Sequence, residues 1–199
     1  MKPLIPIAVL ALAAVPLVAA INPQDPPSSP EEAEMMAKWM EFMTPGEPHE
    51  LIAGKAGKWN LVVTMWMTPD APPSESTATS KHEMIMGGRY LLDQTRGDFM
   101  GQTFEGMGLT GYDNMKKKFF GMWIDNMGTG LMTSEGTYDK AKNAITYTGE
   151  SPDVMSGGYK PMKTIETFVD DDHWTMEMHS TGPDGKMFKG MEIKYTRVK

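Results

Sequence analysis

The sequence predicts an all-β protein: one antiparallel barrel of about ten strands, preceded by a signal peptide and one or two short N-terminal helices. Three observations predict it. From Trp59 to Arg197, apolar and polar residues alternate with the period of two that a half-buried strand requires. Turn chemistry at Asp113-Asn114, Asp139, Asp170-Asp171-Asp172 and Pro183-Asp184-Gly185 divides that alternation into short, even runs. Nothing between the runs has the helical pattern that a parallel crossover needs.

Residues 1–20 read as a signal peptide. Lys2 supplies the positive start, Leu4 to Val18 is apolar, and Val18-Ala19-Ala20 offers small residues for cleavage. Pro6 and Pro16 interrupt the run, which is barely long enough to span hydrocarbon, so stable membrane insertion is not expected after cleavage. The expected compartment is the periplasm or the exterior. Residues 21–29 form a Pro/Ser-rich tether. A helical segment covers 30–54. Ser29 is the expected N-cap, Pro30 the first helical position and Glu32 the capping-box acid. Met36, Trp39, Met40 and Met43 recur at helical spacing, Thr44-Pro45-Gly46 stops the helix, and a second short turn covers Glu47 to Ala53. The barrel domain is expected over 57–199.

The first strand carries Trp59, Leu61, Val63, Met65 and Met67 on one face, with Val62 and Trp66 as exceptions on the other. Further strands are predicted near 77–86, 89–98, 104–112, 118–125, 130–138, 144–149, 162–169, 173–180 and 186–197. In the last run Met191, Ile193, Tyr195 and Arg197 share a face. Arg197 therefore points with the apolar set, as Trp59 does. A cation on an apolar face needs a partner, and the Trp59 ring supplies a cation–π one that pins the first strand to the last.

Composition narrows the function classes. The formal charge is −7, and −8 once Lys2, the leader's only charge, is removed. An acidic chain without a basic stripe does not suit nucleic acid or anionic lipid. Lys116-Lys117-Lys118 reads as a solvated hairpin end. There is no cysteine, which excludes disulfides and a lipid-modified cysteine. Methionine is abundant, at 21 residues, and its soft side chain lines cavities without fixing their shape.

A Gly-x-Trp tripeptide (Gly57-Lys58-Trp59) opening the first strand, with Arg197 closing the last, resembles the calycin superfamily of lipocalins and fatty-acid-binding proteins. A second resemblance covers Pro45 to Arg197. Its residues include Pro45-Gly46-Glu47, Gly57-Lys58-Trp59, Gly87-Gly88-Arg89-Tyr90-Leu91, Phe104-Glu105-Gly106, Gly111-Tyr112-Asp113, Trp123-Ile124-Asp125, Thr129-Gly130, Ser134-Glu135-Gly136 and Thr196-Arg197. In these the chain is similar to the bacterial family known as domain of unknown function 1579. That resemblance implies a family and no activity, so it carries no catalytic residues to this chain.

The first functional expectation is a small, largely apolar ligand held inside the barrel without catalysis. The expected walls are Leu61, Val63, Met65, Met67, Met84, Met86, Trp123, Trp174, Met176, Met178, Met191 and Ile193, with Arg89 and Asp125 as polar contacts. Gly87-Gly88-Arg89 is read first as a turn needing positive φ. Phe104-Glu105-Gly106-Met107-Gly108 marks curvature or a close approach by another group. The strand carrying Trp123 is bulky on both faces and is expected to be covered on both. A filled barrel serving as an interaction protein, with Trp66 outward beside the Met-rich helix, is the second reading. A third places Cu(I) on His82, Met84 and Met86, with Met65 and Met67 alongside if the first two strands pair. A haem barrel would need His173 or His179 inward, but both read as surface residues. No cofactor is expected. Enzyme motifs are missing: there is no nucleophile elbow, phosphate loop or His-Glu-x-x-His.

Overall fold

Strand β1 (Gly57–Met65) is paired on both sides, and this decides the architecture. One neighbour is β2 (Ser74–Ile85) and the other is β10 (Met187–Arg197), from the far end of the chain. In this computed structural model, which describes residues 27, 29–99, 101–154, 156–182 and 184–199, the strands between follow in sequence order. They are β3 (Tyr90–Phe99), β4 (Gln102–Asp113), β5 (Lys118–Asp125), β6 (Met132–Asp139), β7 (Ala144–Asp153), β8 (Gly158–Asp170) and β9 (His173–Thr181). Each pairs antiparallel with the next, giving a closed ten-stranded up-and-down barrel with no free edge. The expected leader, 1–20, lies outside the described residues, as does all of the tether except residues 27 and 29. No helix among the described residues is long and apolar enough to cross a membrane.

The chain divides after Glu41. Helix α1 (Pro30–Met43) belongs almost wholly to the first unit. Its start follows the local chemistry: Glu32 N–H donates to Ser29 Oγ at 3.2 Å, and Glu31 and Glu32 occupy the positive end of the helix dipole. In the second unit, α2 (Glu47–Ala53) precedes the barrel. Gly46 N–H donates to His49 Nδ1 at 3.1 Å, and Ile52 is fully buried against Phe119, Ile145 and Tyr147. Those three side chains mark the end of the barrel where β1 begins, so α2 plugs that end.

The same end holds the seam. Trp59 lies opposite Arg197 in the β1–β10 ladder, and Arg197 Cζ sits 4.2 Å from the Trp59 ring centroid. The guanidinium also donates to three carbonyls: Nε to Asp171 at 2.8 Å, Nη1 to Ala56 at 2.6 Å and Nη2 to Gly54 at 2.8 Å. Trp59 Nε1 donates to Lys55 O at 2.9 Å. One planar cation thus ties the last strand, the β8–β9 turn and the α2–β1 connection together. Gly57 is glycine for this reason: its φ is +139°, and a Cβ there would lie 2.5 Å from Arg197 Nη1.

Alternation along β1 and β10 brings Leu61 opposite Tyr195, Val63 opposite Ile193 and Met65 opposite Met191. The pattern slips once in β10. The register jumps between Lys189 and Met191, and Gly190 takes up the extra step. The bulge turns Phe188 inward, against the parity of Met191 and Ile193. At the β2–β3 connection Met86, Gly87 and Gly88 have φ of +50°, +67° and +81°, so that segment is a tight left-handed turn.

Two outcomes check this account. Arg197→Ala should lose about 3 kcal/mol in denaturant unfolding, because charged hydrogen bonds to carbonyls and the ring contact go together; Arg197→Lys should recover only part of it. Burial holds the His49 imidazole below its usual value of 6.5. The unfolded chain therefore takes up a proton before the folded one does. Stability from His49 is full above about pH 6.5 and declines as pH falls toward the depressed folded value. The urea midpoint should drop between pH 7.5 and 5, and less steeply in His49→Gln.

Candidate functional site

The interior is not filled. A cavity of about 530 Å³ runs inside the barrel, within the size range of small-molecule pockets. Its walls come from alternate residues of nearly every strand. Leu61, Val63 and Met65 face it from β1, Met191 and Ile193 from β10, and Trp174, Met176 and Met178 from β9. Met67, just beyond β1, and Met127, after β5, also line it and are largely solvent-exposed. The cavity therefore reaches the barrel end opposite α2. Trp66 sits at this rim, half-buried, with Lys189 Nζ 5.2 Å from its ring centroid. The expectation of an outward Trp66 forming a contact surface is corrected: β1 has ended at Met65, so strand parity no longer governs the side chain.

Trp123 occupies the wall across β4 and β5. Its ring lies over Gly106, where a Cβ would collide with the indole, and over Gly108, where a Cβ would press on it at 3.1 Å, and it stacks on Phe104 at 6.4 Å between centroids. The glycines of β4 thus leave room for a tryptophan rather than only bending the strand. Asp125 lines the cavity but is already engaged. Oδ2 accepts Trp123 Nε1–H at 2.9 Å, and Oδ1 accepts the Met127 N–H at 3.0 Å. The outer face of this strand is not covered as expected, for Met122 and Ile124 are exposed.

Three expected contacts lie elsewhere. Met84 packs with the Ile52–Phe119–Ile145–Tyr147 cluster at the plugged end. Met86 is 70% exposed, because β2 stops at Ile85 and the turn carries it out of the sheet. Arg89 Nη1 donates to Met86 O at 3.2 Å and Nη2 to Met43 O at 2.5 Å; it braces the turn and the α1 end and does not reach the cavity.

The soft-metal set falls with them. Gly57 pairs with His82 and Met65 with Ser74, so Met65 and His82 stand eight residues apart along the ladder, roughly 26 Å. His82 is buried in an aromatic cage instead, with ring centroids of Trp59, Trp174 and Tyr195 at 6.2, 5.9 and 6.1 Å. Its Nε2 lies 2.9 Å from Ser80 Oγ and 3.3 Å from Asp93 Oδ2. His173 is exposed and meets Asp170, and His179 meets Glu177 across the outer surface. No cluster of three or more His, Cys, Asp or Glu suited to a metal ion occurs among the described residues.

The cavity floor is the part that sequence reasoning missed. Lys55, only 4% exposed, pairs with Glu166 Oε2 at 2.9 Å and lies 4.3 Å from the Trp174 ring centroid. Asp93 accepts from Thr95 Oγ1 at 2.8 Å. Tyr147 and Tyr195 are buried, and desolvation pushes both phenols well above their ordinary range, with Glu166 adding to the effect. Trp174 and Tyr195 stack at 3.5 Å. Glu166 was detectable in principle, since it shares parity with Met162, Thr164 and Phe168 on β8. Lys55 comes from a connection with no period to read, and Phe188 is inward only because of the bulge.

A family model described as "Protein of unknown function (DUF1579)" matches residues 44–197. No curated protein matches the chain. Among solved structures, Rv2717c from M. tuberculosis is similar with a TM-score of 0.56 and 13% identity, over 78% of this chain and 100% of that one. An S-type phycobiliprotein lyase, CPES from Guillardia theta, is similar with a TM-score of 0.55 and 10% identity, over 81% of this chain and 97% of that one. At these identities the likeness is one of fold, the antiparallel β-barrel described above.

The Lys55–Glu166 pair yields a stability prediction. Lys55→Met strands a buried carboxylate and should cost about 3–5 kcal/mol in chemical unfolding. Lys55→Met/Glu166→Leu should regain most of it. Equal losses in the two proteins would show that pairing is not what the lysine contributes.

Proposed function

The chain belongs to the DUF1579 family of proteins of unknown function, and on that premise we propose that it binds a small, largely apolar molecule inside the barrel without catalysing a reaction. The supporting observation is the 530 Å³ cavity, walled by Met, Leu, Ile and Trp side chains and reaching the end that α2 leaves unplugged. Burying a ligand's apolar surface there gains roughly 25 cal/mol per Å² before ordering costs. Methionines at Met65, Met67, Met176, Met178 and Met191 make the wall adaptable, which suits a class of related molecules over one rigid shape. The reading of a filled barrel has no support from the packing, since the interior volume is there. Export to the periplasm or beyond is part of the proposal. It is supported by the leader-like 1–20 segment, and a mature chain beginning at Ile21 in the exported fraction tests it.

Two measurements test the binding. Solvent extraction and native mass spectrometry of the purified protein should recover an apolar small molecule or show uptake of one. A neutral hydrophobic dye should bind with enhanced fluorescence, and Met176→Trp, which fills the cavity from β9, should weaken it at least tenfold. An empty barrel that also refuses the dye ends this reading.

A further inference from the structure

We propose that the ligand is amphipathic and uncharged: an apolar body with a hydrogen-bond-accepting end, of the carbonyl class, seated on Trp174 Nε1 at the cavity floor. This rests on the binding reading above and names the chemistry of the ligand's buried end.

One polar atom carries it. Trp174 is 4% exposed and lines the cavity, and its Nε1 is buried without a hydrogen-bond partner. A buried donor left unpaired is destabilising, so this N–H is an unmet demand at the cavity floor. The indole N–H donates only, so what satisfies it is an acceptor. The neighbouring Tyr147 phenol, kept protonated by burial, is turned to the Glu166 carboxylate and is not part of the anchor. His82 Nδ1 is also unpaired, but His82 is enclosed by aromatic rings and does not line the cavity.

The charges around the floor select the kind of acceptor. Lys55, Glu166 and Asp93 all line the cavity, one ammonium against two carboxylates. Lys55 is committed to Glu166 at 2.9 Å and to the face of Trp174. A ligand carboxylate would enter beside two like charges with no free cation to meet it, which low-dielectric surroundings penalise strongly. An uncharged carbonyl oxygen accepts the indole N–H without that repulsion. The apolar remainder then extends along Leu61, Ile193 and Met176 toward the methionine-lined rim.

The test uses three probes of matched length: 2-decanone, decane and decanoate. Each competes against a neutral solvatochromic dye, and indole N–H resonances are followed in ¹⁵N-tryptophan-labelled protein. The ketone should bind about tenfold more tightly than the alkane and the carboxylate, the equivalent of ~1.4 kcal/mol. It should also move one indole N–H downfield, the resonance absent from Trp174→Phe. In Trp174→Phe the ketone-to-alkane ratio should fall toward one. If ketone and alkane bind equally, or the indole signal stays put because water already satisfies it, the floor anchor is overturned while the apolar pocket stands. Tighter binding of decanoate overturns the uncharged class. Failure of all three probes removes the pocket reading itself.

Discussion

A guanidinium laid on an indole holds this molecule closed. Arg197 belongs to the last strand and Trp59 to the first, and the contact lies where the β1–β10 ladder starts. A sheet of ten strands has two edges unless its ends meet, and free edges invite pairing with other chains. Hydrogen bonds between β1 and β10 alone would close it. The arginine adds three carbonyls from two separate connections, so strand order, turn position and the approach of α2 are set at one point. The glycine at position 57 and the Trp59 bond to Lys55 O both follow from that arrangement.

Consequences run from the seam to the cavity. Because Trp59 Nε1 binds the carbonyl of Lys55, the backbone of that lysine is held beneath the barrel, and its ammonium reaches Glu166 on β8. Trp174 and Tyr195 pack on the other side of the same indole. The polar floor and the aromatic pin are therefore one assembly. Plugging by α2 leaves the opposite end as the way in, and the wall between is soft and apolar. A rigid, charged base under a yielding wall suits recognition of one end of a ligand and tolerance of the rest.

A buried ion pair seldom adds much net stability over an apolar replacement. Its retention at the bottom of a hydrophobic cavity is better understood as organisation of that space. Lys55 neutralises one carboxylate and covers one face of Trp174, leaving the indole N–H edge unpaired at the floor.

Period-two alternation, turn residues and the parity of Trp59 and Arg197 were enough to read the strand set, the closure and eleven wall residues that line the cavity: Leu61, Val63, Met65, Met67, Trp123, Asp125, Trp174, Met176, Met178, Met191 and Ile193. These features are local, and a strand's two faces are set by its own sequence. What the chain did not announce is what depends on register and on breaks in regularity. Met86 left the wall because the turn began one residue early, and Phe188 joined it because Gly190 bulged. His82 and Met65 share a face but stand at opposite ends, which only antiparallel register determines. Lys55 meets Glu166 across 111 residues of chain, and no local pattern encodes that distance; the tertiary fold alone placed the charged floor beneath the apolar wall.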